Sequence, residues 1–256
     1  MNFVDTHCHL HFKKFGLPNR QAYEDALKAG VTRMICVGTT LEDSKHAIDF
    51  AAGLDRVWAA AGVHPHEAGP FLKQVDGAKQ LAGLLGEPKI VAVGEIGLDY
   101  YKSQTPREVQ EKALRAQIEA GLPTGLPFIF HIRDAWRDFW RIFDEYKDLR
   151  GVVHSFSSGT KQLNMALDRG LYVGLNGIMT FTRDEAQLEA ARQVPLDRLV
   201  LETDAPFLAP VPFRSEVCEP KHIVNVAEFL ADLRGQPIKE LSLATTDNAV
   251  RLFNLK

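Results

Sequence analysis

What the chain has little of narrows its class first. Only three cysteines, Cys8, Cys36 and Cys218, are spread over 256 residues, with no Cys-x-x-Cys spacing among them. An odd, scattered set supports neither a disulfide framework nor a cysteine zinc site, so reduced and mostly buried thiols are expected. No apolar run approaches the roughly 18 residues that a membrane span needs, and the chain enters a strand-like segment at once, without the basic and apolar stretches of a secretory leader. A soluble, cytoplasmic protein with no membrane partner is expected. Neither sign of charge dominates, since 30 Lys and Arg stand against 33 Asp and Glu for a net charge of −3. That balance argues against a broad electrostatic grip on duplex nucleic acid, and leaves room for a phosphate held locally. There is no phosphate-cradling glycine loop, and no Pro/Gly/Ser linker, low-complexity tract or charge block. Residues 1–256 are therefore read as one domain, expected to be a monomer.

What is present is a regular alternation of short apolar runs with amphipathic segments of helical length. Strands are expected at 3–6, 33–37, 57–63, 90–94, 127–130, 151–153, 171–175 and 198–201. Helices are expected at 20–29, 41–52, 107–120, 136–146, 161–168 and 184–193, with closing helices at 219–233 and 237–253. Strand follows strand by roughly 20 to 35 residues with a crossover between, the pattern of parallel βαβ units. Eight units in about 250 residues predict an α/β fold, a single (β/α)8 TIM barrel.

Barrel enzymes work at the C-terminal ends of their strands, and the polar residues fall there. His7 and His9, two apart, point to one face of an extended strand, which is ligand spacing. Further apolar runs lead to His64-Pro65-His66, Glu95, His131, His154, Glu202 and Asp204. Imidazole and carboxylate mixtures bind divalent metal, and a pair of ions can bring the pKa of a water down toward about 7. Glu95 is the natural shared ligand, having two oxygens to offer. Asp204 is both a candidate ligand and a candidate proton acceptor; Glu202 is either a supporting carboxylate or a structural one. His66-Glu67 begins like a zinc-protease helix, but Pro70 stands where the second histidine belongs, which excludes that motif. Of Arg133, Arg137 and Arg141, only Arg133 adjoins a site residue, His131. Trp136, Phe139, Trp140 and Phe143 read as core. Tyr100 and Tyr101 are candidate faces for an unstacked base, with packing at the barrel rim as the alternative.

Six motifs in order, Asp5-Thr6-His7-Cys8-His9-Leu10, Gly62-Val63-His64-Pro65-His66, Gly94-Glu95-Ile96-Gly97-Leu98-Asp99-Tyr100, Phe130-His131-Ile132-Arg133-Asp134-Ala135, His154-Ser155-Phe156-Ser157 with Gly159, and Leu201-Glu202-Thr203-Asp204-Ala205-Pro206, resemble the TatD-like metal-dependent deoxyribonucleases. The resemblance runs nearly end to end. It implies two divalent ions (Mg2+, Mn2+ or Zn2+) at His7, His9, Glu95, His131, His154 and Asp204, and phosphodiester hydrolysis, typically 3′-to-5′ on single-stranded DNA, with RNA as a further nucleic-acid substrate. Catalytic work falls to Asp204, Glu95 and Glu202, and substrate contacts to His64, His66, Arg133, Tyr100 and Arg214. One departure is Cys218, where the family commonly has asparagine, in a loop that keeps Arg214 and Glu219-Pro220. The alternative is a metal-dependent amide or ester hydrolase of the same barrel type, such as a D-aminoacyl-tRNA deacylase. A barrel that has lost activity and only binds is disfavoured by its intact set of ionisable groups.

Overall fold

The computed structural model describes residues 1–12 and 19–255. Eight parallel strands form one sheet in chain order and alternate with helices, the (β/α)8 barrel arrangement. The strands are β1 (Phe3–Cys8), β2 (Val31–Val37), β3 (Val57–Ala61), β4 (Ile90–Asp99), β5 (Phe128–Arg133), β6 (Gly151–His154), β7 (Tyr172–Leu175) and β8 (Leu199–Leu201). The helices are α1 (Asn19–Lys28), α2 (Leu41–Ala52), α3 (Ala68–Lys73), α4 (Gly77–Leu84), α5 (Arg107–Gly121), α6 (Trp136–Phe143), α7 (Thr160–Asp168), α8 (Ile178–Phe181), α9 (Glu185–Gln193), α10 (Ile223–Leu233) and α11 (Ile238–Phe253). No described helix is long and apolar enough to cross a membrane, and all three cysteines are buried and free.

All eight expected strands form, but β1, β4, β5 and β6 run further than their apolar stretches. His7, Glu95, His131 and His154 thus lie inside strands rather than after them. The cause is ladder pairing: Ile96, Gly97, Leu98 and Asp99 of β4 pair with Phe130, His131, Ile132 and Arg133 of β5, so backbone hydrogen bonds continue past the last aliphatic residue. Gly97 permits this approach, because a Cβ there would collide with the His131 carbonyl oxygen. The short helices α3 and α4, between β3 and β4, were not anticipated from the periodicity.

The chain forms two compact units, residues 1–36 with 155–256, and residues 37–154. In the first, β1 pairs with β2 and β7 with β8, and β1 is tied to β8 and the turn after it by polar contacts. Thr6 Oγ1 donates to the Leu201 carbonyl at 3.0 Å, and the Asp5 carboxylate accepts from the Thr203 amide at 2.9 Å and its hydroxyl at 2.6 Å. Helix α11 locks the opposite ends of these strands: Ser242 Oγ donates to the Asn2 carbonyl at 2.7 Å, and Asn248 Nδ2 to Leu196 and Leu199 carbonyls at 2.8 Å. In the second unit, β3 through β6 pair in sequence. Its core includes Phe128, Phe130, Phe139 and Phe143, joined by ring contacts of 5.2 to 5.9 Å. Helix α6 supplies two of these rings, and Trp140, also on α6, is buried against them; Phe139, Trp140 and Phe143 are core, as read from the sequence, whereas Trp136 is only half-buried.

Candidate functional site

In the first unit, His7 is the next-to-last residue of the buried strand β1 and His9 follows the strand. Asp204 sits just past β8 with φ +62°, a left-handed conformation that aspartate tolerates better than most residues. Its amide donates to the His7 carbonyl at 2.8 Å and the His9 amide donates to the Ala205 carbonyl at 2.6 Å, which clamps the two segments together. The result converges three side chains: Asp204 Oδ1 lies 3.6 Å from His7 Nε2 and 3.5 Å from His9 Nε2.

The second unit repeats this grouping. Glu95, buried within β4, places Oε2 3.4 Å from His131 Nδ1 and 3.5 Å from His154 Nε2. His64 joins them, its ring 4.6 Å from that of His131, and the ligand atoms of His64, Glu95 and His131 all lie within 4.8 Å of one another. Burial, reinforced by neighbouring His131, pushes the His64 imidazole down to about 3, so it is neutral at neutral pH, and its Nδ1 accepts from the His66 amide at 3.2 Å. For His131, burial opposes the charge, but Asp99 and Glu95 outweigh it and hold the imidazole above its ordinary value.

These separations exceed the roughly 2.7–2.9 Å of a short charge-assisted hydrogen bond. Two donors each about 2.1 Å from one tetrahedral ion stand about 3.4 Å apart. In each unit one carboxylate oxygen thus stands 3.4 to 3.6 Å from two imidazole nitrogens, the chemistry of a divalent-metal donor set and the separation expected between a carboxylate and an imidazole on one ion.

Around these clusters stand two further carboxylates: Asp99, which the sequence reading did not single out, and Glu202, which it read as either a supporting or a structural carboxylate. Asp99, nearly fully buried, lies 3.1 Å from His131 Nε2 and 3.3 Å from His66 Nε2, and accepts from the Tyr101 amide at 2.8 Å. It orients the imidazole from behind, as metal-binding histidines commonly require. It shares a strand with Glu95 only because pairing with β5 carries β4 on to Asp99, which the apolar pattern of the sequence does not show. Glu202, also buried, accepts from the Ser155 amide at 2.6 Å, with Asn176 Nδ2 at 3.4 Å from the same oxygen and 2.9 Å from Ser155 Oγ. Gly174 makes room for it, since a Cβ there would collide with Glu202 Oε2.

The expected substrate contacts divide. His66 is exposed beside Asp99. Arg133 is exposed at the end of β5 with its guanidinium 3.8 Å from the ring centroid of Tyr101. The expectation that Tyr100 presents its ring gives way to Tyr101: the Tyr100 hydroxyl donates to Asp138 at 3.2 Å, Arg107 stacks 4.4 Å from its ring, and it is Tyr101 that is exposed. Arg214 is exposed, with its guanidinium stacked on Phe181 at 3.6 Å and donating to the Ala209 carbonyl at 2.7 Å, which fixes its direction. Cys218 is buried, its amide donating to the Pro206 carbonyl at 3.1 Å, and burial pushes its thiol well up.

The sequence and the fold have counterparts among known proteins. YcfH of Escherichia coli (strain K12), an uncharacterized metal-dependent hydrolase, is 38% identical over 261 residues, covering 100% of this chain and 97% of its own. The 3'-5' ssDNA/RNA exonuclease TatD of Cronobacter sakazakii (strain ATCC BAA-894) is 38% identical over 237 residues, 89% of each chain. The crystal structure of YJJV, a TatD homologue from Escherichia coli K12, superposes with a TM-score of 0.91 at 30% identity, over 99% of this chain and 98% of that one. The model of the TatD related DNase family matches residues 4–254, and the chain belongs to that family of metal-dependent hydrolases.

Proposed function

We propose that the chain is a divalent-metal-dependent phosphodiesterase that removes nucleotides from the 3′ end of single-stranded nucleic acid. The observation that carries this reading is the repeated grouping of one carboxylate oxygen with two imidazole nitrogens at 3.4 to 3.6 Å. Support comes also from the names of two relatives, the 3'-5' ssDNA/RNA exonucleases TatD of Cronobacter sakazakii and Salmonella typhimurium. His7, His9 and Asp204 would hold one ion, and Glu95, His131 and His154 another. Ions bound there would supply positive charge to the phosphoryl oxygens and make a water acidic enough to attack near neutral pH.

The chain's own residues then have definite tasks. Asp204 accepts a proton from the attacking water as the new phosphorus–oxygen bond forms. The bond from phosphorus to the departing sugar oxygen breaks, that oxygen takes up a proton from solvent, and Asp204 releases the one it accepted, so a mononucleotide leaves. Asp99 fixes the His131 ring and is shared with His66, whose exposed edge meets incoming substrate. Arg133, braced on Tyr101, offers a fixed planar donor to a phosphate. The absence of charge excess confines binding to the few nucleotides nearest the clusters, which suits an end-directed enzyme.

The test is a set of 5′-labelled oligonucleotides, single-stranded, blunt duplex and closed circular, incubated with Mg2+, Mn2+ or Zn2+ beside D-aminoacyl-tRNA. Stepwise shortening of linear single strands is expected, with duplexes and circles degraded much more slowly. Circles cut as fast as linear strands would remove the exonuclease assignment. Turnover of D-aminoacyl-tRNA far above any oligonucleotide would replace it with a deacylase.

A further inference from the structure

Phe207 lies three residues beyond Asp204 and is 41% exposed. A phenylalanine ring is ordinarily buried, and this one is held outward by a well-tied segment. The Phe207 amide donates to the Asp204 carbonyl at 2.8 Å, and the adjoining Pro206 carbonyl accepts from the Cys218 amide at 3.1 Å. Asp204 and Leu208, on either side, adopt φ of +62° and +55°, so the backbone turns sharply before and after the ring. The ring meets His9 at 6.1 Å and 71°, and Phe12 at 6.5 Å and 79°. Phe12 in turn stacks on His9 at 4.6 Å and 20°. These near-perpendicular contacts brace Phe207 while leaving part of its surface to solvent.

We infer that Phe207 is the stacking platform for the nucleobase of the terminal nucleotide whose phosphate reaches His7, His9 and Asp204. The inference rests on the reading of the chain as a nuclease for single strands. A single exposed ring is far smaller than a protein interface of roughly 800 Å² per partner, and matches one base. Its neighbour His9 is a candidate ligand, so the ring lies within a nucleotide's length of any phosphate held there. Every base has a π-face, so this subsite accepts all four bases but requires that a base be present. It also requires that the base be unpaired, which gives a physical ground for preferring single strands to duplex ends.

The test uses oligonucleotides with a phosphorothioate at the terminal linkage, in Mn2+. The terminal nucleotide carries either 2-aminopurine, whose fluorescence is quenched on stacking, or no base. The native chain should quench 2-aminopurine and bind the base-bearing end about tenfold more tightly than the abasic end, the effect of one base–aromatic stack. In Phe207→Leu the quenching and the preference should both collapse, and in Phe207→Tyr both should persist. KM for unmodified strands should rise about tenfold in Phe207→Leu, with a smaller change in kcat. If the native chain cleaves single strands but Phe207→Leu keeps the quenching and the preference, the stacking platform is overturned and the nuclease reading stands. If the native chain neither binds nor cleaves any oligonucleotide, the nuclease reading falls and the platform falls with it.

Discussion

The His131 ring sits between two carboxylates, with Asp99 Oδ2 3.1 Å from Nε2 and Glu95 Oε2 3.4 Å from Nδ1. A carboxylate can only accept from Nε2, which leaves Nδ1 as the nitrogen facing Glu95. Exchanging Asp99 for the isosteric amide weakens that orientation without emptying the space. Asp99→Asn is expected to keep the fold and lower metal affinity about 10- to 100-fold. Titration of the metal-free protein with Zn2+ against a competing chelator measures this, and an unchanged affinity would mean that Asp99 only braces Tyr101.

Glu95 and Asp204 each present one oxygen to two imidazoles. Glu95→Gln and Asp204→Asn preserve volume and remove the anionic charge that holds a cation. Each is expected to cost at least about 100-fold in kcat with little change in thermal midpoint. Elemental analysis of the purified variants should show metal content reduced in parallel. Near-native turnover with either substitution would displace the proposed centre.

Much of this arrangement was legible because barrel strands announce themselves as apolar runs and barrel sites gather at strand ends. His7, His9, Glu95, His131, His154 and Asp204 were found that way. The hidden part depends on contacts between segments distant in sequence. The continuation of β4 to Asp99 is set by pairing with β5, which no local hydrophobic pattern reveals. The choice between Tyr100 and Tyr101 turns on Asp138, 38 residues away, which takes the Tyr100 hydroxyl. The Phe181 ring on which Arg214 stacks is likewise set by a contact between distant segments. The helices α3 and α4 are only 6 and 8 residues long, both carry glycine and α3 also proline, too short and irregular to impose a period.

Gly174 and Gly69 make a matched pair for testing how Glu202 is seated. A Cβ at Gly174 would meet the Glu202 carboxylate, whereas one at Gly69, on α3, meets nothing within 4 Å. Gly174→Ala should push Glu202 off the Ser155 amide and cost about 1–3 kcal/mol, the usual effect of overpacking a buried site. Gly69→Ala should be neutral or stabilise by about 0.4–1 kcal/mol through the unfolded chain. Denaturant unfolding separates the two, and loss of activity in Gly174→Ala alone would tie the seating of Glu202 to catalysis.

His222 gives a pH dependence that is independent of metal. It is buried, stacked on Phe213 at 4.6 Å, and its Nδ1 accepts from the Glu219 amide at 3.1 Å, which requires the neutral ring. Burial lowers its pKa in the folded chain, outweighing the opposing charge of Glu219, while the unfolded chain keeps the ordinary value near 6.5. Between the lowered folded value and about 6.5 the unfolded state binds more protons, so stability in that window rises with pH and falls on acidification. Above about pH 7.5 both states are neutral at this residue and the contribution is constant. His222→Gln removes the titrating group and retains an acceptor. The metal-free native chain should therefore lose more thermal stability between pH 7.5 and the acid side of 6.5 than His222→Gln does. Parallel melting curves for the two proteins across that range read the difference directly. Equal slopes would show that the buried ring is protonated in the folded chain and that its Nδ1 is not the acceptor for Glu219.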